Sequence, residues 1–371
     1  MPSHVLITGG AGFIGSHVAD RLLARGYRVR VLDALLPQVH GPDAVRPGYL
    51  HPDIDLQVGD VRDARAVRDA LDGIDAVFHF AARVGVGQSM YRVDDYIDHN
   101  TRGTAVLMEA LMAHPVERLV VASSMSIYGE GRYRCTDGSF TDRACRADAQ
   151  LRAGRWEPLG PDDLPLMPVP TPEDKAPVLS SVYALSKFDQ EVMALVLGRA
   201  YGIPTTALRF FNVYGERQAL SNPYTGVLAI FASRLLNDRA PLVFEDGEQR
   251  RDFVSVHDVA EACLLALEHP AAVGEAFNIG SGDSISVRAI AERVAVALGR
   301  DIAPEITGRF RSGDIRHCFA DTSKARQRLD FTAQVRLEDG VSRLAEWLAT
   351  QPAEDRVPEA AEELRLRGLS A

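Results

Sequence analysis

Tyr183 and Lys187 stand four residues apart in Ser180-Ser181-Val182-Tyr183-Ala184-Leu185-Ser186-Lys187. On a helix, that spacing sets a phenol and an ammonium on one face. An isolated phenol ionises near pH 10 and is a poor base at neutrality, but a neighbouring cation stabilises its phenolate. Ser123 and Ser124 close the run Leu119-Val120-Val121-Ala122, where a serine can hold a reacting hydroxyl by hydrogen bond. A lone Tyr-x-x-x-Lys arises often by chance. Here the chain also opens with Val5-Leu6-Ile7-Thr8-Gly9-Gly10-Ala11-Gly12-Phe13-Ile14-Gly15. Together these predict redox chemistry in which Tyr183, beside Lys187 and a serine of the Ser123-Ser124 pair, moves a proton and a nicotinamide moves a hydride.

The glycines fit a dinucleotide turn in two registers, Gly10-x-Gly12-x-x-Gly15 and Gly9-x-x-Gly12-x-x-Gly15. In either, glycine lets the backbone approach a pyrophosphate at a helix N-terminus. Asp33 follows Gly15 by eighteen residues and ends a strand, as expected of the carboxylate that accepts the adenosine ribose hydroxyls. Its followers Ala34, Leu35 and Leu36 offer no cation for a 2′-phosphate, which favours NAD over NADP. Asp60-Val61 follows the third strand and is expected at the adenine, although a plain turn aspartate explains Asp60 nearly as well.

To position these groups the chain needs a parallel sheet. Short β-branched runs at His4–Thr8, Arg28–Leu32, Asp55–Val58, Ala76–Phe80 and Leu119–Ala122 alternate with helical patterns at Ile14–Ala24, Ala64–Leu71 and Thr104–Ala113. A helix over Tyr183–Tyr201 and a strand at Thr205–Phe210 follow. The fold class is α/β: a Rossmann-like doubly wound parallel sheet with a smaller mixed α/β C-terminal substrate lobe. The expected division is a cofactor domain over 1–216, which the chain rejoins around 251–268, a lobe over 217–350, and a surface tail over 351–371. The lobe includes a helix at Thr225–Asn237 and the strand Ala276–Ile279. Residues 130–178 carry seven prolines and form an insertion, expected to lie over the site entrance.

The 371 residues carry a net charge of −10 and no basic block, which argues against a nucleic-acid partner. No apolar run reaches the ~20 residues of a membrane span. Four cysteines without a C-x-x-C pair read as free thiols of a cytoplasmic protein. Apolar residues Leu185, Phe188, Val192, Met193, Val196 and Leu197 lie on more than one side of the Tyr183 helix, which predicts a homodimer interface there, shared with the helix ending near Ala113.

With these motifs in place, the chain resembles the extended short-chain dehydrogenase/reductases of the nucleotide-sugar epimerase/dehydratase family, over about residues 4–348. The family glycine motif matches Gly9, Gly12 and Gly15. His79-Phe80-Ala81-Ala82 resembles the strand-four motif, Asn100-Thr101-Arg102-Gly103-Thr104 the Asn-x-x-Gly-Thr motif, and Ser123-Ser124-Met125-Ser126-Ile127-Tyr128-Gly129 the active-site serine segment, which implies Ser124 as the catalytic serine beside Tyr183 and Lys187. The resemblance implies NAD held by Gly9, Gly12, Phe13, Ile14, Gly15, Asp33, Asp60, Val61, Phe80, Ala81, Ala82, Asn100, Ser123, Tyr183, Lys187 and Phe210. Arg209-Phe210-Phe211-Asn212-Val213-Tyr214-Gly215, Arg251-Asp252-Phe253-Val254 and Arg311-Ser312-Gly313-Asp314 resemble nucleotide-sugar segments. They imply a dTDP- or UDP-linked substrate at Asn212, Arg251, Arg311 and Asp314, with Val84, Gln88, Ser124, Met125 and Ser126 at the sugar.

Dehydratases of the family carry an Asp-Glu pair where this chain has Met125 and Ser126, and decarboxylases keep a Glu at the second place. Elimination needs an added acid and base, so 4-epimerisation through a transient 4-keto sugar is expected. The alternative is an NAD(P)H-dependent 4-ketoreductase of an NDP-4-keto-6-deoxysugar in deoxysugar biosynthesis. The insertion, with Arg132-Tyr133-Arg134-Cys135 and Gly154-Arg155-Trp156-Glu157-Pro158, is similar to that of dTDP-L-rhamnose 4-epimerase-like members. Cys135 and Cys145 alone cannot complete a four-ligand zinc site, so no metal is expected.

Overall fold

The structure, a computed structural model, describes residues 3–43, 45–219, 226–311, 313–351, 355 and 357–369. The expected helix start at Thr225 and the motif residue Ser312 lie outside them. Alternating apolar residues build the central layer. Strands β1 (His4–Thr8), β2 (Arg28–Asp33), β3 (Asp55–Val58), β4 (Ala76–His79), β5 (Arg118–Ser124), β6 (Thr205–Phe210) and β7 (Ala276–Ile279) form one sheet in the order β7-β6-β5-β4-β1-β2-β3. Every pairing is parallel. On β1, Val5 and Ile7 face one core while Leu6 faces the other, as a pleat of period two requires.

Helices cover both faces, so the sheet is doubly wound and Rossmann-like. Helix α1 (Phe13–Ala24) covers one face together with the later helix Val256–Glu268, through Val18, Leu22, Val259, Cys263 and Leu267. On the other lie α2 (Ala64–Leu71), α3 (Gly103–Ala113) and α4 (Val182–Tyr201), through Val67, Leu107, Leu111 and Ala194. The strand order turns back between β1 and β4, and such a switch point opens a crevice at the strands' carboxyl ends.

The smaller lobe packs helices Val227–Leu236, Val287–Ala297 and Leu337–Leu348 around Phe231, Leu235, Ile290, Val294 and Leu344. One assignment differs from the sequence reading. Ala276–Ile279 belongs not to the lobe but to the main sheet, where it pairs with β6 as the edge strand. The chain returns to the cofactor domain through helix Val256–Glu268 and stays to add this strand. The tail carries a helix, Val357–Leu366, that docks on the segment after β4: the Tyr91 hydroxyl donates to Glu363 at 2.7 Å and Leu364 is buried against Gly87.

The insertion is expected over the entrance; the structure packs it on the lobe. Its strands Arg132–Arg134, Phe140–Thr141 and Met167–Val169 make a small antiparallel sheet. Buried charges weld it to the lobe. Arg146 bonds Glu245 at 2.6 Å and Glu130 at 3.3 Å; Arg316 bonds Glu157 at 2.5 Å, Asp246 at 2.6 Å and Glu245 at 2.9 Å. Buried ions need such partners, and these draw the insertion to the lobe; none of its residues lines the cavity described next.

Candidate active site

A cavity of about 470 Å³ opens at the switch point. Its floor is the glycine turn between β1 and α1. Gly9 sits at φ +70°, and a β-carbon there would lie 2.8 Å from the Ala81 backbone. At Gly15 a β-carbon would lie 2.6 Å from the Gly9 carbonyl oxygen. Only glycine fits both positions, and at Gly10 a β-carbon would also meet Val31 at 2.5 Å. Asp33, at the end of β2, accepts hydrogen bonds from the Ala11 and Leu35 amides at 3.0 and 2.9 Å. Asp60 pairs with Arg62 at 2.6 Å; burial raises its carboxyl, but the bonds from Arg62 outweigh that and hold it low.

The catalytic candidates converge on the same cavity. Ser181 caps α4 by accepting the Ala184 amide at 3.1 Å, and the Tyr183 amide donates to Ser89 Oγ at 3.0 Å. Those two bonds fix the first turn, which carries the tyrosine. Ser124 ends β5 and accepts from the Ser126 amide at 3.2 Å and the Ser126 hydroxyl at 2.9 Å. Burial pushes the Tyr183 phenol up to about 12, against a hydrogen bond from Ser124 that pulls it down. Burial also pulls the Lys187 ammonium down to about 7, against the Glu191 charge, and Nζ donates to Gln190 Oε1 at 2.8 Å.

Of the expected cofactor residues, all but Asn100 line the cavity. Asn100 stands behind the wall, its amide gripping the Arg83 N–H and C=O at 2.6 and 3.0 Å. Of the expected substrate residues, Val84, Ser124, Met125, Ser126 and Asn212 line it. Gln88 does not: its carbonyl accepts from Gln38 and from the Tyr96 hydroxyl. Arg251, Arg311 and Asp314 are also off the lining. Arg311 pairs with Asp314 at 3.1 Å, and Arg251 donates to the Arg250, Ile315 and Arg316 carbonyls. Burial raises Asp314, but Arg311, Arg251 and Arg146 hold it below the usual carboxylate range.

The structure adds residues that the sequence reading missed. Nine buried side-chain atoms lack a hydrogen-bond partner among the described residues, and five belong to cavity residues: Arg83 Nε, His99 Nε2, Asn212 Oδ1, Arg217 Nη1 and Gln218 Oε1. Buried polar groups are normally paired, so their concentration marks a wall built for a polar ligand. Arg217 also holds a left-handed φ of +68° and pairs with Asp20 at 2.8 Å. The glycine cradle, Asp33 and these unpaired groups fit a dinucleotide.

The sequence matches the model of the NAD dependent epimerase/dehydratase family over residues 5–146 and 161–280. The chain belongs to that family. It is an NAD-dependent enzyme with the extended short-chain dehydrogenase/reductase fold. A dTDP-L-rhamnose 4-epimerase of Burkholderia thailandensis is 38% identical over 353 residues, 94% of this chain and 95% of that protein. A solved UDP-glucose 4-epimerase of Thermotoga maritima, with UDP-glucose, matches at a TM-score of 0.76 and 30% identity over 93% of this chain and 98% of its own. One from Thermus thermophilus, in complex with NAD, matches at 0.74 and 30% over 94% and 100%.

Among the described lining residues the only carboxylates are Asp33 and Asp60. Asp33 ends β2 and Asp60 follows β3, and neither accompanies Tyr183. Family members that eliminate water need an acid and a base there; this site presents Met125 and Ser126.

Proposed function

We propose that the protein is an NAD-dependent nucleotide-sugar 4-epimerase acting through a transient 4-keto sugar, on a dTDP- or UDP-linked hexose or deoxyhexose. The observation that carries this reading is the meeting of Ser124, Tyr183 and Lys187 in a dinucleotide cavity that has no carboxylate beside them. The 4-epimerase named among its relatives acts on a deoxysugar nucleotide, which supports a place in deoxysugar biosynthesis.

Bound NAD supplies a reversible hydride acceptor at C4. The residues do the rest. Ser124 holds O4 by hydrogen bond; Tyr183 takes the O4 proton as C4 becomes a ketone and gives it back after the sugar has turned its other face. Lys187 holds the nicotinamide ribose and lends its charge to the phenolate. Asn212, with its unpaired carbonyl, and Gln218 hold the polar part of the substrate.

The same reading takes the protein as a cytoplasmic homodimer. Leu185, Val192 and Val196 are exposed on one side of α4 and would be covered by a second copy; light scattering on the purified protein tests this. No helix among the described residues is long and apolar enough to cross a membrane. For the reaction, wild type is expected to copurify with tightly held NAD and to interconvert one C4 pair in an NDP-sugar panel followed by NMR. Tyr183→Phe should lose at least about 100-fold in turnover while retaining NAD. A cofactor-free wild type that consumes NAD(P)H on a 4-keto sugar would overturn the proposal.

A further inference from the structure

Beneath Lys187 lies a buried polar chain that the proton transfer above does not use. Thr8 ends β1, His79 ends β4, Thr104 lies in the first turn of α3, and Gln190 follows Lys187 by one helical turn. None is more than 1% exposed. The direction of each hydrogen bond follows from the next. The Thr104 hydroxyl donates to the Asn100 carbonyl at 2.6 Å, so toward its other neighbours its oxygen only accepts. His79 Nε2, 2.8 Å from that oxygen, therefore carries the ring proton. Burial first, and the Lys187 charge second, pull His79 down to about 3, so the ring is neutral. Its bare Nδ1 then accepts the Thr8 hydroxyl at 2.8 Å.

Two contacts set the Gln190 amide, whose Nε2 also lies 3.2 Å from His79 Nε2. Its Nε2 donates to Thr104 Oγ1 at 2.9 Å, and its Oε1 faces Lys187 Nζ at 2.8 Å. The flipped amide would set two acceptors face to face at Thr104 and an NH₂ group against the ammonium. Other groups near Lys187 are Glu191 on the same helix, His79 from β4 and Tyr183 one turn earlier. The Glu191 carboxylate is committed to Arg209 at 2.6 Å and to the Ser123 hydroxyl at 2.5 Å. β5 and α3 present Ser123 and Thr104, which do not titrate in water's range.

We propose that Gln190 is a positioning residue for Lys187: held by the Thr8–His79–Thr104 chain, its neutral carbonyl aims the lysine head into the cofactor cavity without fixing its charge. The proposal rests on the NAD-binding reading of that cavity. A carboxylate in the same place would lock Lys187 as an ammonium. An amide takes one of its hydrogens, leaves the others for ligand hydroxyls, and lets the charge follow the cofactor, whose nicotinamide is positive only when oxidised.

That difference gives a readout independent of turnover. As pH rises through the Lys187 ionisation, repulsion of the oxidised ring disappears, so the ratio of NADH to NAD+ affinity falls. Calorimetry with NAD+ and NADH across pH, without sugar, locates the midpoint for wild type, Gln190→Glu and Gln190→Leu. The glutamate variant should move the midpoint up by about 1–3 pH units. The leucine variant, which removes the acceptor, should move it down. Coincident midpoints in all three proteins would overturn the proposal, and so would a leucine variant that only melts earlier. A wild type that binds neither cofactor form would sink the cavity reading along with it, whereas binding without epimerisation would sink the proposed reaction alone.

Discussion

Replacing Lys187 by methionine should stabilise the cofactor-stripped protein while abolishing turnover, with a pH signature that identifies the cause. Burial pulls the Lys187 ammonium from its ordinary 10.5 to about 7. Each pH unit between those values is worth about 1.4 kcal/mol, so an ammonium at this position costs the fold about 5 kcal/mol below pH 7. Methionine carries no charge but leaves Gln190 Oε1 without its partner, at about 1–3 kcal/mol. The net gain near neutrality is therefore roughly 2–4 kcal/mol. The sign runs as linkage requires. Because the folded value is depressed, the unfolded chain binds a proton between pH 7 and 10.5 that the folded chain does not, so wild-type stability rises with pH across that window. Relative to the variant, wild type should recover roughly 3 kcal/mol between about pH 7 and pH 9.5. Tyr183, held up at about 12, does not titrate in that range. Reversible urea unfolding of both proteins at several pH values measures the difference directly. A gap that stays constant with pH, or widens as pH rises, would refute the buried-ammonium argument.

Three further outcomes are expected. Gly9→Ala forces a left-handed residue to carry a β-carbon 2.8 Å from the Ala81 backbone; a strain of about 1–3 kcal/mol should appear as weaker NAD binding by calorimetry, and unchanged affinity would mean that the turn does not hold the cofactor. Asp33→Ser should weaken NAD by at least about tenfold and narrow its preference over NADP, since a serine offers the ribose a neutral partner in place of a charge-assisted one. Glu191→Gln strips the counter-charge from Arg209, buried at 2.6 Å, and should cost about 3–5 kcal/mol in urea unfolding; a loss under about 1 kcal/mol would mean that Tyr128 and the Glu173 carbonyl suffice for the guanidinium.

What was legible in the sequence tracks how local the cause is. β1, α1 and the glycine turn read correctly because the alternation, the helical period and the steric need at Gly9 and Gly15 all lie within a dozen residues. Ser124, Tyr183 and Lys187 reached one cavity because each ends or begins an element facing the same crevice. Ala276–Ile279 was misplaced since a four-residue strand pattern says nothing about which sheet it joins; packing of the preceding helix on α1 decides that. Arg251, Arg311 and Asp314 were expected at a ligand, yet none lines the cavity: backbone carbonyls hold Arg251, and Arg311 pairs with Asp314. The reverse holds for Arg83, His99 and Arg217, which look like surface loop residues until the backbone turns them inward. Arg146 and Arg316 had the same disguise: their burial depends on carboxylates about a hundred residues and more than seventy residues away in the chain.

The two perturbed groups also explain why this site should keep its cofactor. Burial acts on both in the same sense, against charge: Tyr183 is held as a phenol and Lys187 is drawn toward a free amine. A phenol at about 12 is not a base at neutral pH, and a half-neutral amine is a weak stabiliser of any phenolate. A further positive charge beside the phenol lowers the energy of its ionised form. The protein residues alone do not supply it, since Arg209 is spent on Glu191 and Tyr128 and Arg83 and Arg217 belong to loops elsewhere on the cavity wall. Under the proposed 4-epimerase reading, Tyr183 would therefore be a more competent base with the oxidised cofactor beside it than without it. An epimerase needs that difference within one turnover, because the same tyrosine must take the proton and then return it.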